Sequence, residues 1–270
     1  MIFVFRSDGL CARLNHLWQV SYLSEKYKTH INCIWKPTSQ CDINFYKIFV
    51  KQDFFSVYSS FEELAADVPQ YADVKLPINF FGMYHNDEYI SGGEVSSELN
   101  FDGRIKYFNK MFNFDKNIIN KFNKIKNKYN INEMTYSFYV RGLESFGRRS
   151  NIKESSINNV IEGTIEKIRT IVSNNKDARI LIASPESRIE KMVIDCFPKN
   201  CFIIKEDKKP THMLGIDNTG RDEQNVIGGL ILLLFFCETK YESIHQESFF
   251  YSFPFYLKRI KQEKKFWSEK

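Results

Sequence analysis

The spacing of hydrophobic residues changes several times along the chain, and each change marks an element. Ile2 to Phe5 is a short unbroken apolar run, Leu10 to Tyr27 carries a helical pattern, and Ile31 to Trp35 is a second apolar run closed by Pro37. Two strands around one helix predict a parallel pair with a right-handed crossover. From Gln40 to Asn109 no period is sustained. Pairs such as Phe54-Phe55 and Phe80-Phe81 alternate there with Gly, Pro and Asn, and the elements stay unassigned. Helical spacing returns at Asp115 to Tyr129 through Ile118, Ile119, Phe122 and Ile125. Met134, Tyr136, Phe138 and Val140 then alternate with Thr135, Ser137, Tyr139 and Arg141, the period of a half-buried strand.

The longest apolar stripe follows, from Ile157 through Ile161, Ile165 and Ile168 to Val172, with Ser155 or Ser156 able to cap its start. Strand Arg179 to Ala183, helix Arg188 to Phe197, strand Cys201 to Lys205, a polar loop Glu206 to Arg221, helix Asp222 to Cys237 and strand Tyr241 to His245 continue the alternation. The pattern predicts an α/β protein of two Rossmann-like domains, 1–130 and 131–257, facing a central cleft at the carboxyl ends of their strands. A basic tail, 258–270, follows. The segment from Tyr256 is expected to be helical and to pack toward the first domain through Phe266 and Trp267.

Composition narrows the function classes. With 43% hydrophobic and 16% aromatic residues, the 270-residue chain has enough apolar side chains for two real cores. The 38 basic against 33 acidic residues leave +5, interspersed except in the tail, which suits a small anionic ligand better than nucleic acid. The cysteines form no CxxC pair and lie in or beside apolar stretches, so buried reduced thiols in a cytoplasmic protein are expected. A strand beginning at residue 2 leaves no room for a signal segment, and the apolar window Val226 to Cys237 is too short to span a bilayer. It reads as a buried helix. The basic tail suits peripheral contact with anionic lipid at the inner membrane face.

Candidate chemistry collects at strand ends. Arg141 closes the alternating strand, where its guanidinium can grip phosphate oxygens bidentately while Gly142 lets the backbone approach the ligand. The competing reading makes Arg141, Arg148 and Arg149 solvated loop charges. Glu144 and Glu186 are each a general base or an ion-pair partner, and Ser248 is a diphosphate contact or a turn hydroxyl. The turn Asp8-Gly-Leu-Cys-Ala-Arg-Leu-Asn15 presents Gly9 and a helix start to the cleft, with Arg13 aimed at a ligand or solvated outside. The N–H groups at the start of the Asp222 helix are further diphosphate candidates. Asn86 to Gly93 reads as a loop of the first domain, either facing the cleft, where Asp87, Glu88 and Glu94 meet acceptor hydroxyls, or a solvated surface loop. No HxxxH or HxH cluster, GxGxxG or GxxxxGK[ST] is present, so no metal site, dinucleotide oxidoreductase or P-loop kinase is expected.

These residues in this order resemble the fucosyltransferases of the GT-B fold, which include the nodulation-factor, α1,2-, α1,6- and protein-O-fucosyltransferases. That family's first β-α turn reads GLGNR or similar, where this chain has Asp8 to Asn15. Its second domain opens on a strand ending in HxRxxD, where this chain has Tyr139-Val-Arg-Gly-Leu-Glu144. Ile180-Leu-Ile-Ala-Ser-Pro-Glu-Ser187 stands at the family's ATDS or ASDD strand, and Tyr241-Glu-Ser-Ile-His-Gln-Glu-Ser-Phe249 at its SSFS-like turn. Gly-Asn is replaced by Cys11-Ala12, the His by Tyr139 and the Asp by Glu144, and the ATDS carboxylate becomes Pro185 or moves to Glu186. Arg141 is retained.

The resemblance implies an inverting, metal-independent transfer from GDP-fucose or another nucleotide sugar to a surface glycan or glycolipid. Arg141 and Glu144 would be catalytic, and Gly9, Arg13, Arg141, Ser184, Glu186, Ser248 and Phe249 would contact the donor. No cofactor beyond the donor substrate and no nucleic-acid partner is implied. The altered positions leave a second reading open, a catalytically inactive GT-B-like scaffold that binds nucleotide or glycan.

Overall fold

A computed structural model of the chain describes residues 1–6, 9–74, 82–85, 88–140, 154–184, 187–205, 222–242 and 253–259. Among these, the strands form two separate sheets, ordered β3-β2-β1-β4-β5 and β8-β7-β6-β9. The opening pattern becomes β1 (Ile2–Val4), α1 (Leu10–Tyr27) and β2 (Ile31–Ile34), with β1 and β2 parallel and Phe3 opposite Cys33. α1 is wrapped by protein: Leu14, Leu17, Trp18, Val20 and Leu23 are buried, each stabilising by about 1.5–3 kcal/mol. It ends at Lys28, whose left-handed backbone (φ 49°) returns an N–H to Ser24 O.

β3 (Phe55–Tyr58) extends the parallel run, and β4 (Gly82–His85) with β5 (Glu88–Ser91) forms an antiparallel hairpin on the other side of β1. The first sheet is therefore mixed. α2 (Phe61–Asp67) lies between β3 and β4, and α3 (Gly92–Ser97) and α4 (Phe101–Met111) follow β5. The loop expected over 86–93 is corrected here. Residues 88–91 pair as a strand, and Ser91 and Glu94 exchange the two hydrogen bonds of a capping box that starts α3. Glu94 is thus engaged in its own helix cap. Asp87 lies outside the described residues.

The second sheet is all parallel, built from β6 (Tyr136–Tyr139), β7 (Ile180–Ala183), β8 (Cys201–Phe202) and β9 (Lys240–Glu242). α5 (Lys116–Tyr129) precedes it, and α6 (Glu154–Asn174), α7 (Ser187–Cys196) and α8 (Glu223–Glu238) connect its strands. Phe138, Ile161, Ile168, Ile180, Ile182 and Val193 share its core, and Phe122 of α5 stacks on Phe235 of α8 at 4.8 Å.

Two strands are shorter than their apolar runs. β6 starts two residues late because Asn132 Oδ1 accepts the N–H of Met134 in a side-chain turn, which leaves Met134 exposed. β8 stops at Phe202. No described helix is long and apolar enough to cross a membrane.

The chain divides into two compact units, the first built mainly on Met1–Ile119 and the second beginning at Asn120. That boundary falls inside α5. No cysteine pair is bridged; Cys33, Cys41, Cys201 and Cys237 are buried, whereas Cys196 is exposed, contrary to the expected uniform burial. Residues 253–259 are helical. Phe266 and Trp267 lie outside the described residues.

Candidate functional site

At the first β-α turn, Gly9 is the N-cap of α1 with φ −65° and ψ 166°, an extended conformation that any residue adopts. Its carbonyl accepts the N–H of Ala12 (3.2 Å) and Arg13 (3.4 Å). Arg13 is completely buried. Its Nη1 donates to Lys36 O at 2.8 Å, its Nη2 donates to Thr38 Oγ1 at 3.1 Å, and its guanidinium lies 4.9 Å from the Trp35 ring centroid. The solvated alternative for Arg13 is therefore overturned. The side chain is a brace between α1 and the segment that follows β2, and charge-assisted bonds suit that task because the planar fork reaches two acceptors at once.

One turn later, His16 is buried and held neutral. Burial, followed by the positive charges of Arg6 and Arg104, pushes its pKa down to about 3. Arg104 is itself fixed: its Nε donates to Leu99 O at 2.9 Å, and the guanidinium lies 5.3 Å from the Trp18 ring centroid. Gln19, fully buried, donates from Nε2 to Gly92 O (3.1 Å) and Ser96 Oγ (2.6 Å), tying α1 to α3.

The depressed histidine has a pH consequence. Between the unfolded pKa near 6.5 and the folded value near 3, the unfolded chain binds the extra proton. Stability is then full above pH 6.5 and falls at roughly 1.4 kcal/mol per pH unit as pH drops through that window. His16→Gln, which stays neutral, should remove about 2 kcal/mol of the loss between pH 6.5 and 5 in urea titrations. An unchanged slope would remove His16 from the account.

In the second unit, β6 and β7 end side by side. Val140, buried, donates its N–H to Ala183 O at 2.9 Å, so Val140 and Ser184 lie at the same end of the sheet. Arg141 is the next residue after Val140. Arg141, Glu144, Glu186, Ser248 and Phe249, with Arg148 and Arg149, lie outside the described residues. Tyr139, in the place of the family's histidine, is half-buried with its ring 6.3 Å from Phe236. Ser184 follows β7, is nearly buried, and donates its N–H to Glu190 Oε1 at 2.9 Å.

The start of α8 is less open to an anion than the sequence suggests. Asp222 Oδ1 accepts the N–H of Asn225 at 3.0 Å, and the Asp222 carbonyl accepts that of Val226 at 3.0 Å. A carboxylate already occupies the positive end of the helix, where it would repel a diphosphate.

Sequence reasoning missed Glu190. The signal was present: it falls between Ile189 and Val193, on the stripe that α7 turns inward, and it is 2% exposed. Glu190 also lines a groove of about 380 Å³ between α7 and the β8 segment, with Lys191, Ile194, Phe202 and Lys205. Among the described residues no cluster of His, Cys, Asp and Glu is arranged to hold a metal ion.

A parallel four-stranded sheet with crossover helices, preceded by a separate β-α-β-based sheet, defines the fold class: a GT-B-like α/β protein with the architecture of the fucosyltransferases. Solved structures that share it include those of NodZ, an α-1,6-fucosyltransferase. The structure co-crystallized with GDP matches with a TM-score of 0.56 and 10% identity over 95% of this chain and 90% of that one. The structure soaked with GDP-fucose matches with a TM-score of 0.56 and 10% identity, over 95% and 91% of the two chains. The fucosyltransferase NodZ from Bradyrhizobium gives 0.55 and 10% over 94% and 90%. At this identity the likeness is one of fold. The sequence matches no protein-family model and no curated protein.

Proposed function

We propose that the chain is a glycosyltransferase that moves a sugar from a nucleotide donor, GDP-fucose ahead of others, to a hydroxyl of a surface glycan or glycolipid. The observation that carries this reading is the fold likeness over 95% of the chain to an enzyme solved with GDP and with GDP-fucose. In the proposed reaction the acceptor oxygen attacks the anomeric carbon from the face opposite the diphosphate. The bond to the phosphate oxygen breaks, the acceptor proton passes to Glu144, and the nucleoside diphosphate leaves with its added negative charge facing Arg141. A guanidinium can stabilise that charge without a metal ion.

The altered motif supports a second reading, an inactive scaffold that binds nucleotide or glycan. Tyr139 packs near Phe236 where the family has a histidine. One experiment separates the two. GDP should raise the melting temperature, and GDP-fucose with a glycan acceptor panel should release GDP. Binding without release supports the scaffold, absence of binding by GDP, UDP and ADP overturns the transferase reading, and absence of binding by the glycan panel as well overturns both.

A further inference from the structure

β7 and β8 pair through Ile180 opposite Cys201 and Leu181 opposite Phe202, and no further. The chain beyond β8 continues apolar through Ile203 and Ile204, yet the ladder stops while β7 runs on to Ala183. Ile180 donates its N–H toward this side, to Asn200 O at 2.9 Å. Because the backbone of a strand alternates with a period of two, the N–H of Ser184 faces the same way. Its partner is not β8 but the Glu190 carboxylate, at 2.9 Å and 2% exposed. The side chain substitutes for a strand at the point where the sheet opens into the groove that Glu190 lines with Lys191, Phe202 and Lys205.

We infer that Glu190 is a positioning residue for the donor nucleotide, an inference that rests on the glycosyltransferase reading. By holding the N–H of Ser184, it fixes the end of β7 and with it Ser184, a candidate donor contact, without touching the donor itself. A buried N–H that loses its partner must find another, and Ser184 shifts to supply it. Binding then includes the cost of restoring its position, so affinity falls while the chemical step in the assembled complex is spared.

The test is GDP affinity by calorimetry on the full chain, with donor KM and kcat measured beside it. Glu190→Ala should weaken GDP binding by about tenfold and raise donor KM to match, with kcat nearly kept. Glu190→Gln, which retains an acceptor oxygen, should recover most of the loss. Should Glu190→Ala not fold, Glu190→Asp serves in its place: it keeps the charge, draws the oxygen back by one methylene, and should weaken GDP binding. A folded Ala or Asp variant with wild-type affinity, or a Gln variant as weak as Ala, overturns the inference and leaves the transferase reading standing. A wild-type chain that binds none of GDP, UDP and ADP removes both.

Discussion

Replacing Arg13 with Ala is expected to lower the unfolding free energy by about 3 kcal/mol, measured in urea. The guanidinium is completely buried and bonded to Lys36 O and Thr38 Oγ1, with Trp35 beneath it. The alanine variant loses both bonds and the contact with the ring, and the space left behind is internal and cannot fill with side chain. Arg13→Lys keeps the charge but reaches one acceptor at a time, so it should recover only part of the loss. The expected melting shift is roughly 6–12 °C for a unit of this size. A loss within about 0.5 kcal/mol of zero, the range of ordinary surface substitutions, would show that Arg13 is no brace.

Arg141→Ala should reduce turnover by about 30- to 1,000-fold, because a desolvated charge-assisted contact to the departing diphosphate is worth on the order of 2 to 4 kcal/mol in the transition state. Arg141→Lys should fall between Ala and wild type, since the ammonium keeps the charge and loses the fork. Arg148→Ala is the comparison expected to change little. The kinetic pattern differs from that proposed for Glu190: kcat falls for Arg141, while donor KM rises for Glu190. Near-normal turnover in Arg141→Ala would make the likeness at this strand accidental and would remove the transition-state role assigned here.

How much of this was legible in the sequence depends on whether the packing was local. α1 was read to both of its ends, and α5, α6, α7 and α8 to within a few residues, because each keeps an apolar surface at helical spacing. The stretch between β2 and α5 was not legible. Its order comes from aromatic contacts between distant segments. The rings of Phe49 and Phe114 stack at 5.2 Å, those of Phe49 and Phe112 meet edge-on at 5.6 Å, and Trp35 Nε1 donates to Ile43 O at 2.9 Å. No local period encodes such pairs.

Strand ends failed for a related reason. Ile203 and Ile204 look like β8 in the sequence, but the ladder is ended by Glu190, a residue of the preceding helix. At the first turn, the pattern Leu10, Arg13, Leu14, Leu17 already placed Arg13 on the buried side of α1. A charge on an apolar stripe invites a ligand or a solvated reading, and the acceptors observed, the Lys36 carbonyl and the Thr38 hydroxyl, lie 23 and 25 residues further along the chain. Asp222 was read as part of a diphosphate-binding end, when an acidic residue at that position is itself the preferred cap.

The antiparallel hairpin beside β1 also bears on how the chain is made. The parallel partner of β1, β2, is separated from it by one helix, yet the other edge of β1 waits for β4, where Ile2 meets Tyr84. On the ribosome, an apolar strand with one open edge is exposed while some eighty further residues are synthesised. Closing so long a loop is slow compared with forming β1-α1-β2, so the hairpin docks late. β1 thus keeps one edge unpaired until the hairpin has been made, an edge on which two growing copies could pair wrongly.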